Sequence, residues 1–200
     1  MQKLDGYNEA KTYSEFKRIE VGGYIGKICD CILKENRNGG ERLEFLIDIT
    51  EGEYKDYFLN IWNSDRDNKD RKWKGKFVLF VPEKGETYYE SNLSKFKTYM
   101  KCIEDSNSGY HWEWDEKTLK GKKAGLVFGE EEFETDEGTL MTFVKCRYFT
   151  SVENIRQGKF RIPQAKTLGR SENTENESAS TTSNETVDTF IPVEDDDLPF

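Results

Sequence analysis

The chain has 200 residues, with 30 Lys and Arg against 39 Asp and Glu, a net charge of -9, and 14% Phe, Trp and Tyr. No stretch approaches the roughly 18 apolar residues of a membrane span, and Met1 is followed by polar sequence, so neither a span nor a signal peptide is expected. A cytoplasmic protein is the expectation, with Cys29, Cys31, Cys102 and Cys146 as reduced thiols.

The charge is unevenly placed. Residues 171–200 hold Glu172, Glu175, Glu177, Glu185, Asp188, Glu194, Asp195, Asp196 and Asp197 and no Lys or Arg, so residues 1–170 carry 30 charges of each sign. About 170 residues suffice for one ordinary domain with a real core.

In chain order, Gly22-Gly23 breaks the chain before Tyr24–Leu33, a first strand of period two, and Asn38-Gly39-Gly40 signals the turn that returns it. The alternation predicts that Cys29 and Cys31 share a face. His111, the only histidine, and the lack of a second close Cys pair argue against zinc. Leu43, Phe45, Ile47 and Ile49 alternate in a second strand, and after Glu51-Gly52-Glu53 the run Tyr54–Trp62 reads as a third, closing a meander. A basic, ring-punctuated connection (Arg66, Lys69, Arg71, Lys72, Trp73, Lys74, Lys76) leads into the apolar stretch Phe77–Val81.

The period then changes. From Ser91-Asn92 onward Leu93, Phe96, Met100 and Ile103 fall at helical spacing, stopped near Asn107-Ser108-Gly109. Two strand-like runs follow, Ala124–Phe128 and Leu140–Phe149, joined through Asp136-Glu137-Gly138, and Ser151–Arg156 reads as a short last helix. The fold expectation is mainly β: an OB-fold-like five-stranded barrel with one helix between strands three and four. Other small barrels and α+β sandwiches share this element count.

Single strands of nucleic acid are held by cations that neutralise phosphates and rings that stack on bases. Cations and rings interleave in three places: Trp62 and Arg66 with Lys72, Trp73 and Lys74; Trp112 and Trp114 leading to Lys120, Lys122 and Lys123; and Lys145, Arg147 and Tyr148. Catalysis finds little support. His111 has no evident orienting partner, Gly121-Lys122-Lys123 and Gly125 lack the spacing of a phosphate loop, and Glu130-Glu131-Glu132 reads as a solvated turn. No cofactor or metal is implied.

Residues 171–186 use only Ser, Glu, Asn, Thr and Ala, which cannot bury enough apolar surface to offset chain entropy. Residues 171–193 are therefore expected to be a disordered linker with a reach on the order of 25 Å. The chain ends Glu194-Asp195-Asp196-Asp197-Leu198-Pro199-Phe200, an acidic run before an apolar residue, a proline and a phenylalanine. A pocket with a basic rim would capture Asp195, Asp196, Asp197, Leu198, Pro199 and Phe200 together.

That tip resembles, almost letter for letter, the C-terminus of bacterial single-stranded DNA-binding proteins (SSB), whose tails end in acids and then Asp-Ile-Pro-Phe or Asp-Leu-Pro-Phe. The body lacks the strand sequences of the chromosomal SSB, so the chain looks like a divergent, phage- or prophage-encoded member acting in a bacterial host's cytoplasm. The resemblance implies a nucleic-acid-binding domain at 1–170, a linker at 171–193 and a protein-interaction tip at 194–200. It implies binding of single-stranded DNA during replication, recombination and repair, and recruitment of processing enzymes through the tip. An interaction protein displaying the tip as a decoy, and a mediator that loads an annealing protein, are the alternatives. The tetramer common among chromosomal SSBs does not carry over.

Overall fold

The computed structural model describes residues 17–36, 39–135 and 137–168; the linker and tip expected at 171–193 and 194–200 lie outside the described residues. The elements run β1 (Gly22–Glu35), β2 (Glu41–Ile49), α1 (Tyr57–Ser64), β3 (Lys76–Phe80), α2 (Tyr89–Asp105), a 3-10 turn (Glu116–Leu119), β4 (Lys123–Glu134), β5 (Leu140–Thr150) and α3 (Val152–Arg156). Five strands form one antiparallel sheet in the order β3-β2-β1-β4-β5. No ladder joins β3 to β5, so hydrogen bonds do not close the sheet into a barrel among the described residues. The two outer strands still meet through their rings, with Phe77 and Phe149 4.4 Å apart between centroids.

The alternation read in β2 holds: Leu43, Phe45, Ile47 and Ile49 are buried in the core cluster, which leaves Arg42, Glu44, Leu46 and Asp48 on the outward face. Phe77 and Leu79 of β3, Ile28 and Cys31 of β1, and Leu126 and Phe128 of β4 complete the sheet's side of that core, and Phe96, Met100 and Ile103 of α2 pack against it. α2 follows from the spacing of those apolar residues, as the sequence implies. Among the described residues no helix is long and apolar enough to cross a membrane.

Three expectations need correction. The run Tyr54–Trp62 is not a third strand: Tyr57–Ser64 is helix α1, and the third strand is Lys76–Phe80. Apolar residues occupy both parities of the run, so its period does not choose, and the choice is made by Asp48. Its carboxylate accepts from Phe58 N at 3.0 Å and Leu59 N at 3.3 Å, taking up first-turn donors that a helix leaves unpaired. The neighbouring segment fits around the result. A Cβ on Gly75 would strike Ile47 O and the Phe58 ring, so only glycine lets the chain enter β3 there.

Glu130-Glu131-Glu132 is not a solvated turn but lies within β4, where Glu131 is 6% exposed. Ten residue pairs with β5 run from Gly125 to Glu134, which extends the ladder well past the apolar run Ala124–Phe128. Finally, Cys29 and Cys31 do not share a core face. The β1–β2 register jumps between Ile28 and Asp30, a bulge that sends Ile28 and Cys31 into the core and leaves Cys29 half-buried. Burial pushes the Cys31 thiol up to about 12 and raises Cys29, Cys102 and Cys146, so all remain protonated near neutral pH.

Candidate nucleic-acid interface

The three interleaved clusters fall on three different parts of the fold. In the first, Trp62 on α1 lies under the Arg71 guanidinium, 4.1 Å from the ring centroid, and 6.1 Å from the Trp73 ring. Arg71 Nη1 also donates to Trp62 O at 3.3 Å. Trp73 is half-buried against the core and its Nε1 donates to Ile47 O at 3.0 Å. Both of its handles are used by the fold. Arg66, Lys72 and Lys74 are exposed beside this pair.

The second cluster surrounds the chain between α2 and β4. Glu104 Oε1 accepts from Trp112 N at 2.8 Å and contacts His111 Nδ1 at 2.8 Å, which pins the segment to the end of α2. Trp112 packs against the core, whereas Trp114 is 72% exposed, its ring lying parallel to Phe96 with centroids 6.0 Å apart. Trp114 sits at φ 64, an unusual conformation for a bulky residue. Lys122 Nζ stands 4.2 Å from the Tyr110 ring centroid, Lys120 reaches Asp30 at 3.5 Å, and Lys123 is exposed.

The third cluster is built on a buried carboxylate. Lys145, Arg147 and Lys166 each approach Glu131 at 3.6 Å. Burying a carboxylate is costly unless it is paired, and these cations supply the pairing. Tyr148 OH donates to Arg161 O at 2.6 Å and accepts from Arg161 N at 3.0 Å, so this ring's hydroxyl fastens the segment after α3 rather than pointing to solvent.

A fourth arrangement has no counterpart among the candidates read from the sequence. On the outward face of β1, β2 and β3, the register sets Lys34, Arg42 and Phe80 in one row and Ile32, Glu44 and Val78 in the next. Glu44 is 7% exposed. It holds Lys34 Nζ at 2.8 Å and Lys76 Nζ at 3.2 Å. Burial pushes the Glu44 carboxyl up, but the hydrogen bonds from Lys34 and Lys76 outweigh it and hold the group below its ordinary range. Glu44 therefore stays ionised and fixes both ammonium groups. Arg42 Nη1 donates to Asn36 Oδ1 at 3.1 Å, while Ile32 and Phe80 are 37% and 40% exposed. The face thus combines fixed cations with open apolar surface. The signal was present in Lys76-Phe77-Val78-Leu79-Phe80, whose period of two puts Lys76, Val78 and Phe80 on one side. With a third strand expected at Tyr54–Trp62, that period has no β2 neighbour in the sequence reading; the structure supplies one by pairing Lys76–Phe80 with β2.

Among the described residues no group of His, Cys, Asp and Glu is arranged to hold a metal ion. No family model matches the chain, and no curated protein matches it.

Proposed function

We propose that the body binds single-stranded DNA across the outward face of β1, β2 and β3, and that the tip at 194–200 recruits replication, recombination and repair enzymes. The observation that carries the first half is that face itself, where Lys34, Arg42 and Lys76 stand beside Ile32, Val78 and Phe80. Cations neutralise phosphates and an exposed ring accepts a base, the combination a single strand requires. The strand order β3-β2-β1-β4-β5, with α2 between β3 and β4 in the chain, is also that of an OB-fold opened between its third and fifth strands. In that reading β2 and β3 form the binding wall. The second half rests on the resemblance of Asp195-Asp196-Asp197-Leu198-Pro199-Phe200 to the SSB tip.

The test is anisotropy of labelled oligo(dT) titrated with the full chain over a salt series. Binding that weakens steeply with salt, with a log-log slope of about -0.7 per neutralised phosphate, and that Arg42→Gln reduces, supports the proposal. Absence of binding at low salt overturns it and leaves the tip-displaying interaction protein as the reading.

A further inference from the structure

From Asn154 to Arg170 the chain carries Arg156, Lys159, Arg161, Lys166 and Arg170 and no acid. The described part of this stretch is laid over the sheet as a strap. Pro163 packs where Gly129 has no side chain, since a Cβ there would lie 2.5 Å from its ring. Lys166 forms a parallel bridge with Glu131, with Lys166 N donating to Glu130 O at 3.0 Å and Glu132 N donating to Lys166 O at 2.8 Å. Tyr148 grips Arg161 through both backbone groups. The strap therefore has a fixed course beside β4 and β5. It brings Lys166 to the wall that carries Lys145 and Arg147, around the buried carboxylate of Glu131. Lys159 and Arg161 are exposed along the strap, with Ile162 and Leu168 exposed at 49% and 47%. Lys145, Arg147 and Lys166 thus share one carboxylate, Glu131, on a preordered surface of β4 and β5, the strands that follow β1 in the sheet order.

We propose that this strap wall is a second track for the nucleic-acid backbone, so that a long single strand engages two walls of the body. The inference rests on the single-strand reading above. It favours a phosphate backbone over an acidic peptide because the cations are strung along an extended course of the chain instead of ringing a pocket.

The experiment compares the full chain with Lys159→Gln/Arg161→Gln, whose changed side chains leave the backbone grip of Tyr148 in place. Each is titrated with oligo(dT) of about 8 and about 30 nucleotides, the shorter within the range one OB-type site covers. The expected result is an unchanged affinity for the short oligomer. For the long one, affinity falls about tenfold and the salt slope becomes shallower by about 1.4, two phosphates' worth. If the double variant does not fold, Lys159→Gln alone is expected to lower the slope by half as much. A long-oligomer affinity that is unchanged or increased overturns the second track. Failure of the unmodified chain to bind either oligomer overturns the underlying reading instead.

Discussion

Asp48 and Phe58 are joined across ten residues by one hydrogen bond, Phe58 N donating to Asp48 Oδ1 at 3.0 Å, and the carboxylate is 1% exposed. The bond ties the start of α1 to the end of β2, and the same carboxylate also accepts from Leu59 N and Ile49 N. Asp48→Ala leaves buried donors unpaired at a cost of about 1 to 3 kcal/mol each when no water reaches them. A loss of at least about 2 kcal/mol in urea unfolding is expected, with reduced helicity by circular dichroism. A variant as stable as the parent would show that α1 holds without this anchor.

Glu44 and Asp48 lie on the same face of β2 and respond to pH with opposite sign. The Lys34 and Lys76 contacts hold Glu44 below its ordinary range, so its contribution is present above about 4.3 and is lost as pH falls through the depressed folded value. For Asp48, burial outweighs three backbone N–H bonds and raises the group. Its contribution is greatest below about 3.9 and declines as pH rises through the raised folded value. The deficit of Glu44→Gln should therefore grow as pH rises toward about 4.3 and then level off. That of Asp48→Asn should shrink as pH rises from about 3.9. The Glu44 effect should be about 1 kcal/mol, modest because Lys34 and Lys76 are 41% and 37% exposed. Urea unfolding between pH 3 and 7 checks both; curves that stay parallel to the parent contradict the assignment.

Much of this fold was legible because its elements bury one face each. β1, β2, α2 and the start of β4 announce themselves through period, and Val152–Arg156 through Ser151, whose side chain accepts from Asn154 N. Tyr54–Trp62 misleads because apolar residues fill both parities, and the deciding group, Asp48, lies outside the run. Glu131 misleads for a related reason: an acid in an acidic run reads as solvated until Lys145, Arg147 and Lys166 are brought to it from β5 and the strap. Of the candidate interface, cation and ring composition shows only the part that is contiguous in sequence. Composition finds loops rich in Lys and Trp, whereas the face of β1, β2 and β3 assembles from single residues separated in sequence.

The rings should divide by role. Trp73→Ala removes a packed ring and the bond to Ile47 O, so a stability loss of about 2 kcal/mol is expected. Trp114→Ala should stay within about 0.5 kcal/mol of the parent, since the ring is 72% exposed. Phe80→Ala, at an exposed ring on the proposed binding face, should weaken oligo(dT) binding by about 1 to 3 kcal/mol with little change in melting temperature. If Phe80→Ala binds as the parent does while Trp114→Ala loses affinity, the interface lies on the segment after α2 instead.

Truncation after Arg170 removes nine acids and no cation, leaving 30 charges of each sign. If the body binds single-stranded DNA, losing those acids can only reduce repulsion of phosphates, and the strap remains intact. The truncated chain should therefore bind oligo(dT) as tightly as the full chain or more tightly, with the largest gain at low salt, where charges separated by more than about 10 Å still act. Binding to a tip-recognising repair or replication enzyme should vanish. The point variant Phe200→Ala separates the two effects. It keeps every acid, so DNA affinity should match that of the full chain, while loss of a buried ring weakens the enzyme by about 1.5 to 3 kcal/mol. Asp195, Asp196 and Asp197 changed together to Asn should cost less, and mainly at low salt, because exposed acids act through screened attraction. Should Phe200→Ala leave such enzymes bound as before, the C-terminal resemblance carries no function, and the case for the body rests on its own cations and rings.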